Sequence, residues 1–408
     1  MFLNRDRAIK AMEERDLDAL IASTSLNIQY LTDIPGIIGY AVLPREKNYD
    51  PFLITGIGQN DKIVVSDTWI KDIRFHGPAF YWAYDPSAEL TDLEKKMKAN
   101  VDSAVMDIIV PDPFRARSPS MIAELVNGLK ERGLEKGRLG IEENETTITH
   151  YEKIRKALPT TDLVFADDAF AYARQVKTTD EIRLFEESVP IIDEGWKAIC
   201  DVAKEGVTEG DLLKAFKKTV VSYGLEGAGV NYTLTLSIGR RSIMPFSGIG
   251  EDRWDKLERG DLIIFGGGIV YKNHPTHHAR TAVLGEPKNS KVLRFYQGIL
   301  DSENAGLEAL KPGVKASDIY NIMIETARNT IPDYKRHHMG HSLGLGGYDT
   351  PNFMANDHTP LEENMVFNIE PSSYLEFGLG GLRLEDTLLI TNSGYKLFTK
   401  TSRDIWRL

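Results

Sequence analysis

Apolar residues recur at helical spacing from Ile182 through Phe185, Val189, Ile192 and Trp196 to Ile199, the signature of a long helix with one buried stripe. Thr178, with Glu181 three residues later, has the form of a capping box and marks where that helix starts. Pro190 falls inside the stripe and predicts a kink. Residues 5–15 are helix-forming and charged, whereas Ala19 to Ala22, Ile63 to Ser66 and Leu139 to Ile141 are short apolar runs that predict strands. Further on, the strand-like run 365–370 (MVFNIE) sends Phe367 and Ile369 to one face and Asn368 and Glu370 to the other. In 382–390 (LRLEDTLLI), Arg383 and Glu385 share the polar phase. Mixed helical and strand patterns over 408 residues predict an α/β chain of two domains. The boundary is placed before the capped helix, giving domains 1–165 and 166–408.

The second domain carries a weak internal repeat. Residues 204–212 (KEGVTEGDL) resemble 311–319 (KPGVKASDI), and 258–266 (ERGDLIIFG) resemble 362–370 (EENMVFNIE), in the same order. A duplicated α/β unit with a pseudo-two-fold axis accounts for this, and it puts Gly266 and Glu370 in related positions.

Composition narrows the classes. The chain is 42% hydrophobic and 27% charged, enough apolar content for sizeable cores. A net charge of −11 disfavours nucleic-acid binding through a basic surface. No run of about 18 apolar residues predicts a membrane span, and the opening residues lack the apolar core of a signal peptide. Cys200 is the single cysteine, so no intrachain disulfide or cysteine-based zinc site forms, and its apolar helical setting reads as a buried structural thiol. The cytoplasm is the expected compartment. Residues 1–165 contain no glycine-rich phosphate loop and no grouping of catalytic type.

Candidate chemistry gathers in the second domain. Six of the nine histidines fall in 273–281 (NHPTHHART) and 337–344 (HHMGHSLG): His274, His277, His278, His337, His338 and His341. His341 lies between Gly340 and Gly344, which suits close backbone approach to a ligand. His338 and His358 read as surface residues. Glu370, in mid-strand before Pro371, needs a partner if buried. For Glu385 the competing reading is an ordinary strand-face pair with Arg383.

These residues carry a resemblance. The motifs 340–344 (GHSLG), 369–371 (IEP) and 382–386 (LRLED) resemble the creatinase/Xaa-Pro peptidase superfamily, M24, with its pita-bread fold. The resemblance implies an N-terminal creatinase-like α/β domain and a C-terminal pita-bread α+β domain. Its metallopeptidases hold two metal ions with Asp, Asp, His, Glu and Glu. His341, Glu370 and Glu385 fill the last three places, but Gly266 and His277 stand where the two aspartates belong. A further family histidine has no counterpart in 244–250 (MPFSGIG), and another is replaced by Tyr348. A dinuclear centre is therefore not expected, because glycine supplies no ligand. The alternative is a single divalent ion held by His277, His341, Glu370 and Glu385.

The resemblance thus implies a hydrolase of carbon–nitrogen bonds, like creatinase or ectoine hydrolase, acting on a non-peptide bond of a small polar or cationic metabolite. An amidine, guanidino or ureido group meets the two carboxylates, unless Arg383 or Arg280 offsets their charge. His341, Glu370, Glu385 and His277 are the expected catalytic residues, with His274, His278, His337, Arg383 and Tyr348 binding substrate. The alternatives are a mononuclear metal-dependent Xaa-Pro dipeptidase or a dimethylsulfoniopropionate lyase-like enzyme, and a non-catalytic binding module. The family habit also implies a homodimer, with 34–39 (IPGIIG) and 80–84 (FYWAY) as candidate closing loops.

Overall fold

The computed structural model describes residues 1–77, 89, 91–93, 95, 120–144, 146–223, 231–243, 255–376 and 378–408; segments 80–84 and 244–250 lie outside these. The chain divides into two compact units, Met1–Ala173 and Arg174–Leu408.

The first unit is a mixed six-stranded sheet. Its elements are α1 (Arg5–Glu14), β1 (Ala19–Ala22), α2 (Ser25–Thr32), β2 (Gly39–Pro44), β3 (Phe52–Gly56), α3 (Asn60–Val64), β4 (Asp72–His76), α4 (Met121–Glu131), β5 (Arg138–Ile141), α5 (Ile148–Ala157) and β6 (Asp162–Phe165). The sheet order is β4-β3-β2-β1-β5-β6, with β1 central and buried throughout. Helix α4 buries Leu125 and Leu129 against Phe52, Ile54, Leu139 and Ile141. The expected strand at Ile63 to Ser66 is instead the end of α3 and the turn after it. A four-residue apolar run cannot distinguish helix from strand. In a strand Ile63 and Val65 would share a face, yet Ile63 is buried while Val65 is 82% exposed.

After α6 (Asp167–Gln175), the second unit opens on α7 (Thr179–Val202), whose capping box at Thr178 and Glu181 is formed in both directions. The helix runs on through Pro190. Phe185, Val189, Ile192, Trp196 and Ile199 are all fully buried, as the stripe predicts, each contributing about 1.5–3 kcal/mol of apolar burial. Cys200 is buried among them, and burial pushes its thiol up, which keeps it neutral.

The internal repeat is visible in the fold. Helices α7 and α8 (Glu209–Ser222) precede β7 (Asn231–Ile238), β8 (Leu262–Tyr271), the short β9 (His274–Pro275) and β10 (His278–Val283). Helices α9 (Lys291–Ala309) and α10 (Ala316–Arg328) precede β11 (Gly340–Ser342), β12 (Asp349–Asn352), β13 (Val366–Ile369), the hairpin β14 (Ser373–Glu376) and β15 (Gly380–Leu382), β16 (Asp386–Ile390), β17 (Tyr395–Leu397) and β18 (Trp406–Arg407). The antiparallel set β7-β8-β10 is echoed by β11-β13-β16. Equivalent single bridges, Thr208 to Lys256 and Lys315 to Pro360, tie each second helix to its half. The half-sheets meet at one rung, where Ala279 and Glu385 exchange backbone hydrogen bonds of 3.2 and 3.1 Å. Gly266 pairs with Ala279, and Glu370 follows the Ile369–Asp386 pair, so Gly266 and Glu370 are related as the duplication requires.

Arg280, fully buried on β10, fastens this junction. Its guanidinium donates to the carbonyls of Ala279, Glu385, Thr401 and Ser402 and to the Asp386 carboxylate at 2.6–3.0 Å. Its charge is met by Asp386, so it does not serve the Glu385 carboxylate.

Candidate active site

Strand alternation decides which polar side chains converge. Phe367 and Ile369 enter the core between the sheet and α9–α10, so Asn368 and Glu370 share the opposite face. Asn368 Nδ2 donates to Glu370 Oε2 at 3.2 Å. His341 on β11 sits opposite Asn368. Gly340 is required beside it, because a Cβ there would stand 2.5 Å from the Asn368 carbonyl oxygen.

The two glutamates are buried, 4% exposed for Glu370 and 1% for Glu385, and each meets an arginine. Arg336 Nη2 donates to Glu370 Oε1 at 3.1 Å, and His338 Nε2 contacts the same oxygen. Burial raises the Glu370 pKa, but His338, Arg336 and His341 outweigh it and hold the carboxyl well below the usual range. Arg383 Nε donates to Glu385 Oε1 at 3.1 Å, and its Nη2 reaches the same oxygen. Its Nη1 donates to Thr235 Oγ1.

The two histidines form a directional chain. His341 Nδ1 faces the Ser342 carbonyl at 3.2 Å, and a carbonyl only accepts, so Nδ1 carries the proton. Neutral His341 therefore accepts at Nε2, and His277 Nδ1 donates to it at 3.2 Å. The His277 Nε2 lone pair is left outward, with no hydrogen bond among the described residues. Burial, and then the His341 ring, push His277 down to about 4, against the pull of Glu385 and Glu370. Burial likewise brings His341 to about 4, against Glu370 and its bond to Ser342. Both rings are neutral near pH 7. Tyr348, exposed to solvent, stacks on His341 with centroids 3.9 Å apart and packs edge-on to His277.

The structure thus brings together His277, His341, Glu370, Glu385, Arg383 and Tyr348. His274 and His278 are not part of this cluster. Strand β10 turns His278 to the face opposite His277, where its Nε2 meets Thr401 Oγ1 at 2.9 Å beside Asp193. His274 lies 3.5 Å from Glu181 and edge-on to Phe185. His337 is exposed and, among the described residues, meets the cluster through the His338 ring. His338, expected on the surface, is buried at 8% exposure because it closes on Glu370. His358 is exposed. Arg336 and His338 are the site residues that the motifs miss. Their signal is indirect: a buried Glu370 demands a cation, and the Glu370 N–H bonds to Met339 O, which brings the preceding residues alongside.

The profile of Metallopeptidase family M24 matches residues 183–392. The chain belongs to this family. It is 33% identical over 240 residues to an Xaa-Pro dipeptidase of Pyrococcus furiosus, covering 59% of this chain and 67% of that protein. An uncharacterized peptidase of Bacillus subtilis is 23% identical over 390 residues, 95% of each chain. Among solved structures, an Xaa-Pro dipeptidase from Bacillus anthracis superposes with a TM-score of 0.79 at 20% identity, over 99% of both chains. The prolidase from Pyrococcus horikoshii OT3 gives 0.74 at 24% identity over 98% of both. At these identities the structural likeness is one of fold, the two-domain pita-bread architecture. Membership of M24 makes the chain a hydrolase acting on carbon–nitrogen bonds.

The family name implies metal ions, and the donors can be tested against that. At Gly266 no side chain reaches inward. A Cβ there would lie 2.6 Å from Arg383 Nε and closer still to Cζ and Nη1. The carboxylates of Glu370 and Glu385 already face guanidinium groups, and His277 and His341 bond to each other. Among the described residues no three His, Cys, Asp or Glu side chains group as ligands. As arranged, these residues fit neither a dinuclear centre nor the single-ion set.

Proposed function

We propose that this M24 hydrolase cleaves a non-peptide C–N bond in a small polar metabolite without a dinuclear metal centre. The observation that carries this reading is the His277–His341 pair, neutral and oriented so that a single lone pair, at His277 Nε2, faces outward. In the proposed reaction, His277 takes a proton from water, and the hydroxide oxygen bonds to the electrophilic carbon. The imidazolium then returns its proton to the leaving nitrogen as the C–N bond breaks. His341 accepts the Nδ1 hydrogen bond of His277 throughout and holds the ring. The Glu385 and Glu370 carboxylates favour the transient imidazolium. Base and acid catalysis supplies about 10²–10⁴-fold where the pKa lies near the working pH. A ring held near 4 is a weaker base but a strong acid toward the leaving nitrogen, which suits an activated bond better than an unactivated peptide.

A metal-dependent Xaa-Pro dipeptidase is the second reading, favoured by the 33% identity to the Pyrococcus furiosus protein of that name. The test is a panel of ureido, amidino, guanidino and Xaa-Pro compounds, assayed for amine release with chelator or with added Mn²⁺. Turnover of a non-peptide compound that survives chelation is expected, with none of the Xaa-Pro dipeptides. Mn²⁺-dependent cleavage of an Xaa-Pro dipeptide would replace the first reading with the second.

A further inference from the structure

We infer that Arg383 is a resident cation that occupies the space and meets the charge a divalent ion would take at this site, so that the site refuses divalent ions. The inference rests on the metal-independent reading above and deepens it. Three observations on different residues support it.

The first is steric. Gly266 faces the middle of the site from β8, and the guanidinium of Arg383 lies against its Cα so closely that no Cβ fits in this arrangement. Glycine here makes room for the arginine. The second is electrostatic. Arg383 is 8% exposed and Glu385 1%, so an uncompensated Glu385 carboxylate would be a buried charge, and guanidinium stays charged at any working pH. Nε and Nη2 both reach Glu385 Oε1, while Nη1 bonds to Thr235 Oγ1 on β7, so the cation is held by two partners. The third is balance. Glu370 has its own guanidinium in Arg336, and His338 Nε2 meets the same carboxylate oxygen. Each carboxylate therefore already meets a guanidinium. With both carboxylates engaged in this way the site has no call for a cationic substrate group, so the C–N bond presented to His277 belongs to a neutral ureido group rather than to a guanidinium or amidinium.

The test uses the full chain and reads cation binding, not turnover. Wild type and Arg383→Ala are dialysed against Mn²⁺ and, separately, melted with increasing methylguanidinium. Wild type is expected to retain only substoichiometric Mn²⁺ and to show no saturable rise in Tm. Arg383→Ala leaves a guanidinium-shaped cavity beside the Glu385 carboxylate, so methylguanidinium is expected to raise its Tm by several degrees and to saturate. One equivalent of Mn²⁺ on wild type overturns the inference, as does a folded Arg383→Ala that ignores methylguanidinium. If Arg383→Ala does not fold, Arg383→Lys keeps the charge and is expected to refuse Mn²⁺, and stoichiometric uptake by that variant overturns the inference. Neither readout involves substrate, so failure of the panel of C–N compounds sinks the proposed reaction and leaves the cation result to be judged separately.

Discussion

His277 and His341 illustrate how much one carbonyl decides. The Ser342 carbonyl can only accept, and that settles the tautomer of His341, then of His277, and then the position of the outward lone pair. His277→Ala removes that lone pair and is expected to lower kcat by about 10²–10⁴-fold with KM little changed, measured on any substrate the panel identifies. Arg336 tests the other half of the site. Arg336→Met leaves Glu370 buried beside His338 without its guanidinium, and a loss of about 3–5 kcal/mol in chemical denaturation is expected. Of these residues, Glu370 and Glu385 are legible from the alternation of their strands, and His341 from its glycines. Arg336 and His338 are not, because a buried carboxylate finds its partner across a sheet, where spacing along the chain carries no information. His274 and His278 mislead for a related reason. Three histidines within five residues look like one cluster, but the strand sends His277 and His278 to opposite faces.

Elements repeat this contrast between local and distant information. The capping box at Thr178 and the stripe from Ile182 to Ile199 are local, and α7 is built as they predict. What α7 packs against is not local. Gly195 lets Phe216 of α8 lie across the helix, and a Cβ there would stand 2.5 Å from the Phe216 ring. Gly195→Ala is expected to cost about 1–3 kcal/mol in thermal or urea unfolding, although alanine is the better helix former. In the first unit, Asp72 on β4 bonds to Arg74 at 2.9 Å and to Arg132, just after α4, at 2.7 Å. Burial raises its pKa, but the hydrogen bonds and charges of the two arginines lower it further, so the net shift is downward. A depressed carboxylate contributes stability that is fully present above its unfolded pKa, about 3.9, and is lost as pH falls through the lower folded value. Asp72→Asn is therefore expected to reduce stability by about 1–2 kcal/mol at neutral pH and to shrink the difference from wild type below pH ~3. The run at Ile63 marks the limit of short segments, since only the unlike burial of Ile63 and Val65, two residues apart, separates the two periods there.

At the scale of the whole molecule, the internal repeat is the most informative feature of the sequence. Two weak segment matches anticipate a duplicated helix pair and half-sheet, and with them the relation between Gly266 and Glu370. The sequence does not say that Arg383 from the second half fills the place beside Gly266 in the first. The homodimer implied by family habit belongs to this scale. Light scattering on the full chain is expected to give twice the 45.8 kDa of one chain, and a mass of one chain would set the dimer aside.

Arg280 has a consequence for the order in which the protein is made. Two of the carbonyls it binds belong to Thr401 and Ser402, Thr401 also bonds to His278, and β18 pairs in parallel with the far end of β10. The strand that follows His277 thus lacks two of the guanidinium's acceptors and one edge neighbour until residues 401–407 have left the ribosome. The first half of the pseudo-symmetric pair is synthesised more than a hundred residues earlier, yet it cannot settle the histidine's strand alone. A nascent chain released short of residue 401 should expose β10 to proteolysis, while α7, α8 and β8 already carry all their local signals.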